Sequence, residues 1–224
     1  MRRQIVLDTE TTGLDFNQGH RIIEVGCIEL IDRKITGNNL HFYINPERAT
    51  EDDAFKVHGI SDEFLLDKPK FNEIAYELKE FLVGAELIAH NATFDVGFLD
   101  FEFVRAGISL NIAKNFPVID TLALAREIHP GQRNNLDALL KRYQVVHVKR
   151  DLHGALLDAE ILAHVYLKMT GGQINFLFEQ GDNQLEHAQI INSENKKFNL
   201  SIVTASDDEL LEHNKFLKIL GTDF

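Results

Sequence analysis

The chain begins with a short apolar run that ends in two acidic residues. Ile5, Val6 and Leu7 are typical of a buried strand, and Asp8 and Glu10 follow directly. On a strand, residues two apart point to the same face about 6.5–7 Å apart, so these carboxylates would lie side by side. Two like charges held together are costly unless a cation lies between them, and Mg²⁺ or Mn²⁺ prefers oxygen ligands. The pair is therefore a candidate metal site, although the same pair on a solvated strand face would need no function.

Composition limits what else the chain can be. Its 224 residues suffice for one ordinary domain with an appendage or for two small domains, and 44% of them are hydrophobic, enough for a real core. No apolar run approaches the ~20 residues of a membrane span, and the first residues lack the apolar region of a signal peptide. The single cysteine, Cys27, excludes an internal disulfide and is typical of a core residue. We therefore expect a cytoplasmic protein without membrane contact.

The net charge of −12 argues against a protein that holds nucleic acid by itself. Proteins that bind phosphates usually carry a basic patch on their surface. Either the substrate is not a polyanion, or metal ions and a partner protein supply the positive charge that this chain lacks.

Hydrophobic periodicity predicts three strands first, and then strands that alternate with helices. The predicted strands are 4–7, 21–31, 40–45, 86–89 and 117–119, with a turn-rich segment over 32–39. The predicted helices are 71–82, one that stops near 107, 122–128, 136–143 and 154–169, the last of which is closed by Gly171-Gly172. This order predicts an α/β domain with a mixed sheet over residues 1–170, followed by a polar linker and a short helix over 207–220.

Three further residues lie where predicted strands pass into helices. Asp95 follows the fourth strand, Asp158 lies at the start of the last long helix, and His153 precedes Asp158 by five residues. Five residues correspond to about 140° around a helix axis, so the two cannot share a helical face. We therefore place His153 in the loop before that helix. Such junctions at one edge of a sheet are where α/β proteins bind their ligands.

Carboxylates that converge in this way are suited to two divalent ions about 3.5–4 Å apart, the arrangement used for in-line displacement at phosphorus. One ion would lower the pKa of an attacking water, the other would stabilise the leaving oxygen, and a histidine would accept the proton at neutral pH. Each residue also has an ordinary interpretation, because acidic residues favour helix N-termini and a lone histidine is often a surface or capping residue. Their joint occurrence favours the metal site.

In order and setting, these motifs resemble those of the DEDD exonuclease superfamily, histidine subtype. The resemblance spans about residues 4–170 and rests on Asp8-Thr9-Glu10, on His90-Asn91-Ala92-Thr93-Phe94-Asp95, and on His153 with Asp158. The segments 57–60, 65–69 and 133–139 strengthen it. Together they resemble the proofreading exonuclease subunits of bacterial replicative DNA polymerases.

The resemblance implies a ribonuclease H-like fold, with five strands of which the first three are antiparallel, and two-metal hydrolysis of a DNA 3′ end with Mg²⁺ or Mn²⁺. The metal ligands that it implies are Asp8, Glu10, Asp95 and Asp158. It makes His153 the general base. The substrate contacts that it implies are Asp8, Glu10, Asp53, His58 and Asp158. Asp53 departs from the family pattern, since a longer glutamate is usual there.

The segment that follows the glycine pair resembles the short peptide by which bacterial replication proteins bind the sliding clamp. The matching residues are Gln173, Phe176 and Phe178. The same side chains would serve equally to pack on the domain. The resemblance assigns 171–182 to a hinge that carries this peptide and 183–224 to a tail that binds the polymerase catalytic subunit, and it implies a small accessory subunit. Tethering to a polymerase would resolve the charge problem, because it raises the local concentration of the DNA end.

The sequence thus predicts a metal-dependent 3′–5′ exodeoxyribonuclease that proofreads within a replicative DNA polymerase. One alternative is an RNA 3′–5′ exonuclease of the same fold, which would have no need of the tail. Another is a non-catalytic scaffold that stabilises its polymerase, which would have no need of the acidic residues and His153.

Overall fold

A mixed sheet of five strands forms the centre of the fold. The computed structural model describes residues 1–145 and 153–178, with side chains as far as Gly171, and all of these residues belong to one unit, Met1–Gly181. The strands are β1 (Arg3–Thr11), β2 (Ile22–Ile31), β3 (Lys34–Tyr43), β4 (Glu86–Ala89) and β5 (Val118–Asp120). Their order is β3-β2-β1-β4-β5, with β1, β2 and β3 antiparallel and with β4 and β5 parallel to β1. The predicted mixed sheet is confirmed.

Helices cover both faces of this sheet. They are α1 (Asp52–His58), α2 (Asp62–Leu65), α3 (Phe71–Leu82), α4 (Ala92–Arg105), α5 (Ile112–Asn115), α6 (Thr121–Ile128), α7 (Leu136–Arg142) and α8 (Ala155–Phe178). Successive side chains of a strand point to opposite faces, so β1 serves two cores. Ile5 and Leu7 pack with α3 and α4 on one face, whereas Val6 packs with α8 on the other.

The strand β3 begins earlier than the sequence predicts. The prediction of turns over 32–39 is therefore wrong, except at the hairpin turn itself. Asp32 and Arg33 have φ values of 46° and 65°, as in the two-residue hairpin turns whose twist matches that of the adjoining strands. Lys34 already belongs to β3. Most of the first half of β3 is exposed at the sheet edge, so it carries polar residues and gives little hydrophobic alternation from which to predict a strand.

The helix α8 does not end at the glycine pair, as the sequence predicts, but continues through it to Phe178. A glycine in a helix interior costs about 1 kcal/mol relative to alanine, which a long and well-packed helix tolerates. None of the helices in the described ranges is long and apolar enough to cross a membrane. The division of the chain at 170 and 182 stays a prediction, and the tail over 183–224 lies outside the described residues.

A buried ion pair joins the start of β2 to α4. Arg21 donates from Nε and Nη2 to the two carboxylate oxygens of Glu102, at 2.6 and 2.8 Å. Both residues are buried, and the paired hydrogen bonds satisfy both charges at once. The contact fixes α4, which carries Asp95, against the sheet.

Candidate active site

The face of the sheet that α8 covers carries the candidate site in two rows of side chains. Residues directly opposite on antiparallel strands share a face, so the observed register defines the rows. The first row is Glu10, Glu24 and Tyr43, and the second is Asp8, Gly26 and His41. The two carboxylates predicted from the first motif thus lie on the same face, as expected for residues two apart.

Gly26 allows α8 to approach the sheet closely. A Cβ atom at this position would lie 2.3 Å from the backbone nitrogen and Cα of Leu156, in the first turn of α8. Any larger residue would therefore push the helix away from the sheet. Because residue 26 has no side chain, the first turn of α8 rests on β2 and carries Asp158 to the strand end where Glu10 lies.

Three of the predicted residues meet at this point. Glu10, His153 and Asp158 each offer a ligand atom, and these atoms lie within 4.8 Å of one another. Asp158 is buried, and its Oδ2 lies 3.1 Å from Nδ1 of His153. An ionised carboxylate can only accept, so Nδ1 carries the hydrogen and the lone pair of the neutral ring is on Nε2. The two carboxylates supply oxygen ligands of the kind that Mg²⁺ or Mn²⁺ prefers, and the imidazole lies beside them.

His153 precedes α8, as predicted, and its backbone joins the site to α1. Its N–H donates to the carbonyl of Val57, near the end of α1, at 3.2 Å. His58, the next residue of α1, is buried. This hydrogen bond therefore brings the two histidines to the same part of the molecule.

His58 presents a hydrogen-bond donor. Its Nδ1 accepts from the N–H of Ile60 at 3.0 Å, so Nε2 carries the hydrogen in the neutral ring. Burial lowers the pKa of His58, although the Glu24 and Asp62 carboxylates act in the opposite direction. The Nε2 atom has no hydrogen-bond partner among the described residues. A buried donor without an acceptor is suited to a ligand oxygen.

Asp8 and Asp95 are not members of the three-residue group. Asp8 is half-buried and lies opposite Gly26 on the same face as Glu10. Asp95 reaches β1 from α4, and its Oδ1 accepts a hydrogen bond from the Thr9 hydroxyl at 2.7 Å. Burial raises the pKa of Asp95 to about 7. The structure thus places both carboxylates along the end of β1, and their metal-ligand roles stay predictions.

Asp53 lies in the first turn of α1, at the opposite end of that helix from His58. Its side chain is 92% exposed and forms an ion pair with Lys56 at 2.6 Å, and the hydrogen bond from Lys56 lowers the pKa of Asp53. The structure therefore gives this residue a surface contact, and its role in substrate binding stays a prediction. Gln173, Phe176 and Phe178 lie on the α8 backbone, but their side chains are outside the described part of the chain.

Two residues near the site were missed by the sequence reasoning. Glu24 is buried, and its Oε1 lies 2.7 Å from Nε2 of His41. In the sequence, Glu24 could have been noticed as a carboxylate within the apolar run 22–30, because such a run is typical of a core strand. That Glu24 lies opposite Glu10 depends on the register between β1 and β2, which the sequence did not reveal.

A family model described as an exonuclease, RNase_T, matches residues 5–166. This range contains all of Glu10, His153 and Asp158. The chain belongs to this exonuclease family. DNA polymerase III subunit epsilon of Haemophilus influenzae is 50% identical, over 98% of this chain and 91% of its own length. The same subunit of Escherichia coli is 48% identical, over 97% and 93%. The predicted resemblance is thus confirmed.

Solved structures confirm the predicted ribonuclease H-like α/β fold. Exonuclease X, in complex with 5′ overhanging duplex DNA, has a TM-score of 0.57 and 28% identity, over 77% of this chain and 92% of its own. The nuclease domain of 3′hExo, a DEDDh family member bound to rAMP, has a TM-score of 0.64 over 76% and 92%. At 18% identity, this second likeness concerns the fold alone.

Gly26→Ala should displace the first turn of α8, since the added methyl group would overlap the Leu156 backbone. We expect the free energy of unfolding to fall by about 1–3 kcal/mol, the usual cost of overpacking, and chemical denaturation measures it. Gly171→Ala is the control in the same helix, because a Cβ there meets nothing within 4 Å. It should leave the stability equal or higher. An unchanged stability of Gly26→Ala would contradict the close approach of helix and strand.

Asp95 should make the metal-free protein less stable as the pH rises toward 7. Its pKa of about 7 in the folded state lies above the ~3.9 of an unfolded aspartate, so the folded state holds the proton more tightly. The resulting stabilisation is complete below about pH 4 and is lost as the pH rises through about 7. Asp95→Asn should flatten this dependence when unfolding is measured in EDTA from pH 4 to 8. If the free energy of unfolding depended on pH in the same way in the wild type and in Asp95→Asn, this prediction would be wrong.

Proposed function

We propose that the protein is a divalent-metal-dependent 3′–5′ exodeoxyribonuclease that removes mispaired 3′-terminal nucleotides within a replicative DNA polymerase. The observation that carries this proposal is the meeting of Glu10, His153 and Asp158 at one end of the central sheet. The identity of about half to polymerase III epsilon subunits, over nearly the whole chain, supports the polymerase context.

The acidic residues would hold two ions. Glu10 and Asp158 are the carboxylates of the compact group, while Asp8 and Asp95 lie along the same strand end and would complete the ligand set. When bound, Mg²⁺ or Mn²⁺ would lower the pKa of the attacking water and stabilise the leaving oxygen. Burial raises the pKa of Asp95 and so disfavours its ionised form. A nearby cation would favour the ionised form again, as a metal ligand requires.

His153 would accept the proton of the attacking water. The hydrogen bond from its Nδ1 to Asp158 orients the ring and leaves the lone pair on Nε2. An imidazole is suited to this task at neutral pH. His58 would donate from Nε2 to an oxygen of the terminal nucleotide, and Asp53 would contact the substrate from the start of α1.

Partners would supply what this acidic chain lacks. With a net charge of −12, the protein would depend on a polymerase catalytic subunit, bound through residues 183–224, to hold the DNA. Tethering would keep the frayed 3′ end at a high local concentration. A small accessory subunit would join the same assembly, which would act in the cytoplasm.

Binding of the sliding clamp through residues 173–178 would require a change at the end of α8. Positions 176 and 178 lie about 200° apart around a helix axis, and both belong to α8. One clamp surface cannot contact both positions while the helix persists. Clamp binding would therefore unwind the last turns of α8.

The full chain should digest single-stranded DNA from its 3′ end when Mg²⁺ or Mn²⁺ is present. His153→Ala should slow the reaction about 10²–10⁴-fold, the usual contribution of a general base, and Asp158→Asn should abolish it. His129→Ala is the matched control, since that ring contacts Tyr143 between α6 and α7 and should keep the rate of the parent protein.

Matched DNA and RNA oligomers, each labelled at one end, measure the polarity and the sugar preference. Equal digestion in EDTA would exclude the metal mechanism. Faster digestion of RNA would favour the RNA exonuclease. A wild-type chain that binds the polymerase but digests neither oligomer would favour the scaffold.

The double variant Gln173→Ala with Phe178→Ala should weaken binding to the sliding clamp, because it removes two of the three proposed contacts. Surface plasmon resonance with immobilised clamp measures the affinity, and digestion of single-stranded DNA should persist in the same preparation. An unchanged clamp affinity would remove this segment from the docking proposal.

A further inference from the structure

Glu24 is a buried carboxylate to which the proposed reaction gives no role. The residue is 2% exposed. Its Oε1 lies 2.7 Å from Nε2 of His41, and the Tyr43 phenol, opposite it on β3, is a second hydrogen-bonding neighbour of the carboxylate. Burial of a carboxylate costs folding free energy, so a function that needs the charge at this place would explain it.

Glu24 lies between two parts of the candidate active site. On the sheet it stands directly opposite Glu10. Toward α8, both of its carboxylate oxygens lie 3.9 Å from the position that a Cβ of Gly154 would occupy. Gly154 joins His153 to the first residue of α8, a helix of 24 residues. The backbone N–H groups at the start of a helix interact favourably with a nearby carboxylate such as that of Glu24.

Neighbouring groups respond to the charge of Glu24. Burial lowers the pKa of His58, and the charge of Glu24 opposes this effect. Burial raises the pKa of the Tyr43 phenol, and Glu24 raises it further. Since His41 holds one of its oxygens, the charge occupies a fixed place beside the site. These effects reach residues on both sides of Glu24, on α1 and on β3.

We infer that Glu24, oriented by His41, is a positioning residue for the proposed metal site. Like charges directly opposite on neighbouring strands repel each other, so Glu24 keeps the Glu10 carboxylate turned toward the cleft. Its charge also attracts a divalent cation, and its side chain occupies the space beside Gly154 that adjoins His153. The inference rests on the proposed function. Groups that orient metal ligands contribute about 10–100-fold to metal affinity or activity.

Titration of the full chain with Mn²⁺ by isothermal calorimetry tests this inference. Glu24→Gln keeps the size and polarity of the side chain but removes its charge, and it should weaken Mn²⁺ binding about tenfold. Glu29→Gln is the matched control, because Glu29 is a buried carboxylate of the same strand that binds Arg3 and should leave the affinity unchanged. Glu24→Asp restores the charge and should recover part of the affinity, which a role in packing alone would not produce.

Unchanged Mn²⁺ affinity in a folded Glu24→Gln protein overturns the inference, as does the same loss in Glu29→Gln. If Glu24→Gln does not fold, the variant His41→Ala tests the inference instead. His41 lies on the edge strand β3, and its loss removes the hydrogen bond that orients Oε1 of Glu24. This variant should also weaken Mn²⁺ binding, and unchanged binding again overturns the inference. The proposed function fails in a different way, with equal Mn²⁺ binding by wild type and Asp158→Asn.

Discussion

The contact between α8 and Gly26 is the constraint on which the rest of the site depends. The first turn of a 24-residue helix lies directly on β2, where a Cβ atom would be 2.3 Å from its backbone. Val6 and its apolar neighbours hold the same helix along the sheet. Without this close approach, Asp8 and Glu10 would lie on an open sheet face. Asp158 would then be too far away to bind the same metal ion.

The protein stabilises its buried charges in two different ways. Away from the site each has a full partner, as in the pair of Arg21 and Glu102, whose hydrogen bonds satisfy both side chains. At the site, several carboxylates gather at one end of the sheet, and burial raises the pKa of Asp95 to about 7. A cation would stabilise this arrangement. The acidic site and the net charge of −12 both point to positive charge that comes from outside the chain.

The sequence predicted the elements whose patterns are local. The helix over 71–82 matches α3, and the strand over 86–89 matches β4, because each buries one continuous apolar pattern. Boundaries were wrong where the local pattern was misleading, as at β3 and at the end of α8. The exposed edge strand β3 carries polar residues before its apolar half, and α8 crosses Gly171-Gly172, since neighbouring turns of a long helix compensate for two poor helix formers.

The sequence by itself determined which side chains are candidates for the site, because the acidic motifs and His153 occur at junctions that can be recognised along the chain. It also determined the fold family, since the order of strands and helices is written in hydrophobic periodicity. Only the tertiary structure decided which of these groups meet, and it joined Glu10, His153 and Asp158 while placing Asp95 beside Thr9. It also revealed Glu24, since strand register and helix approach arise from contacts between residues that are distant along the chain.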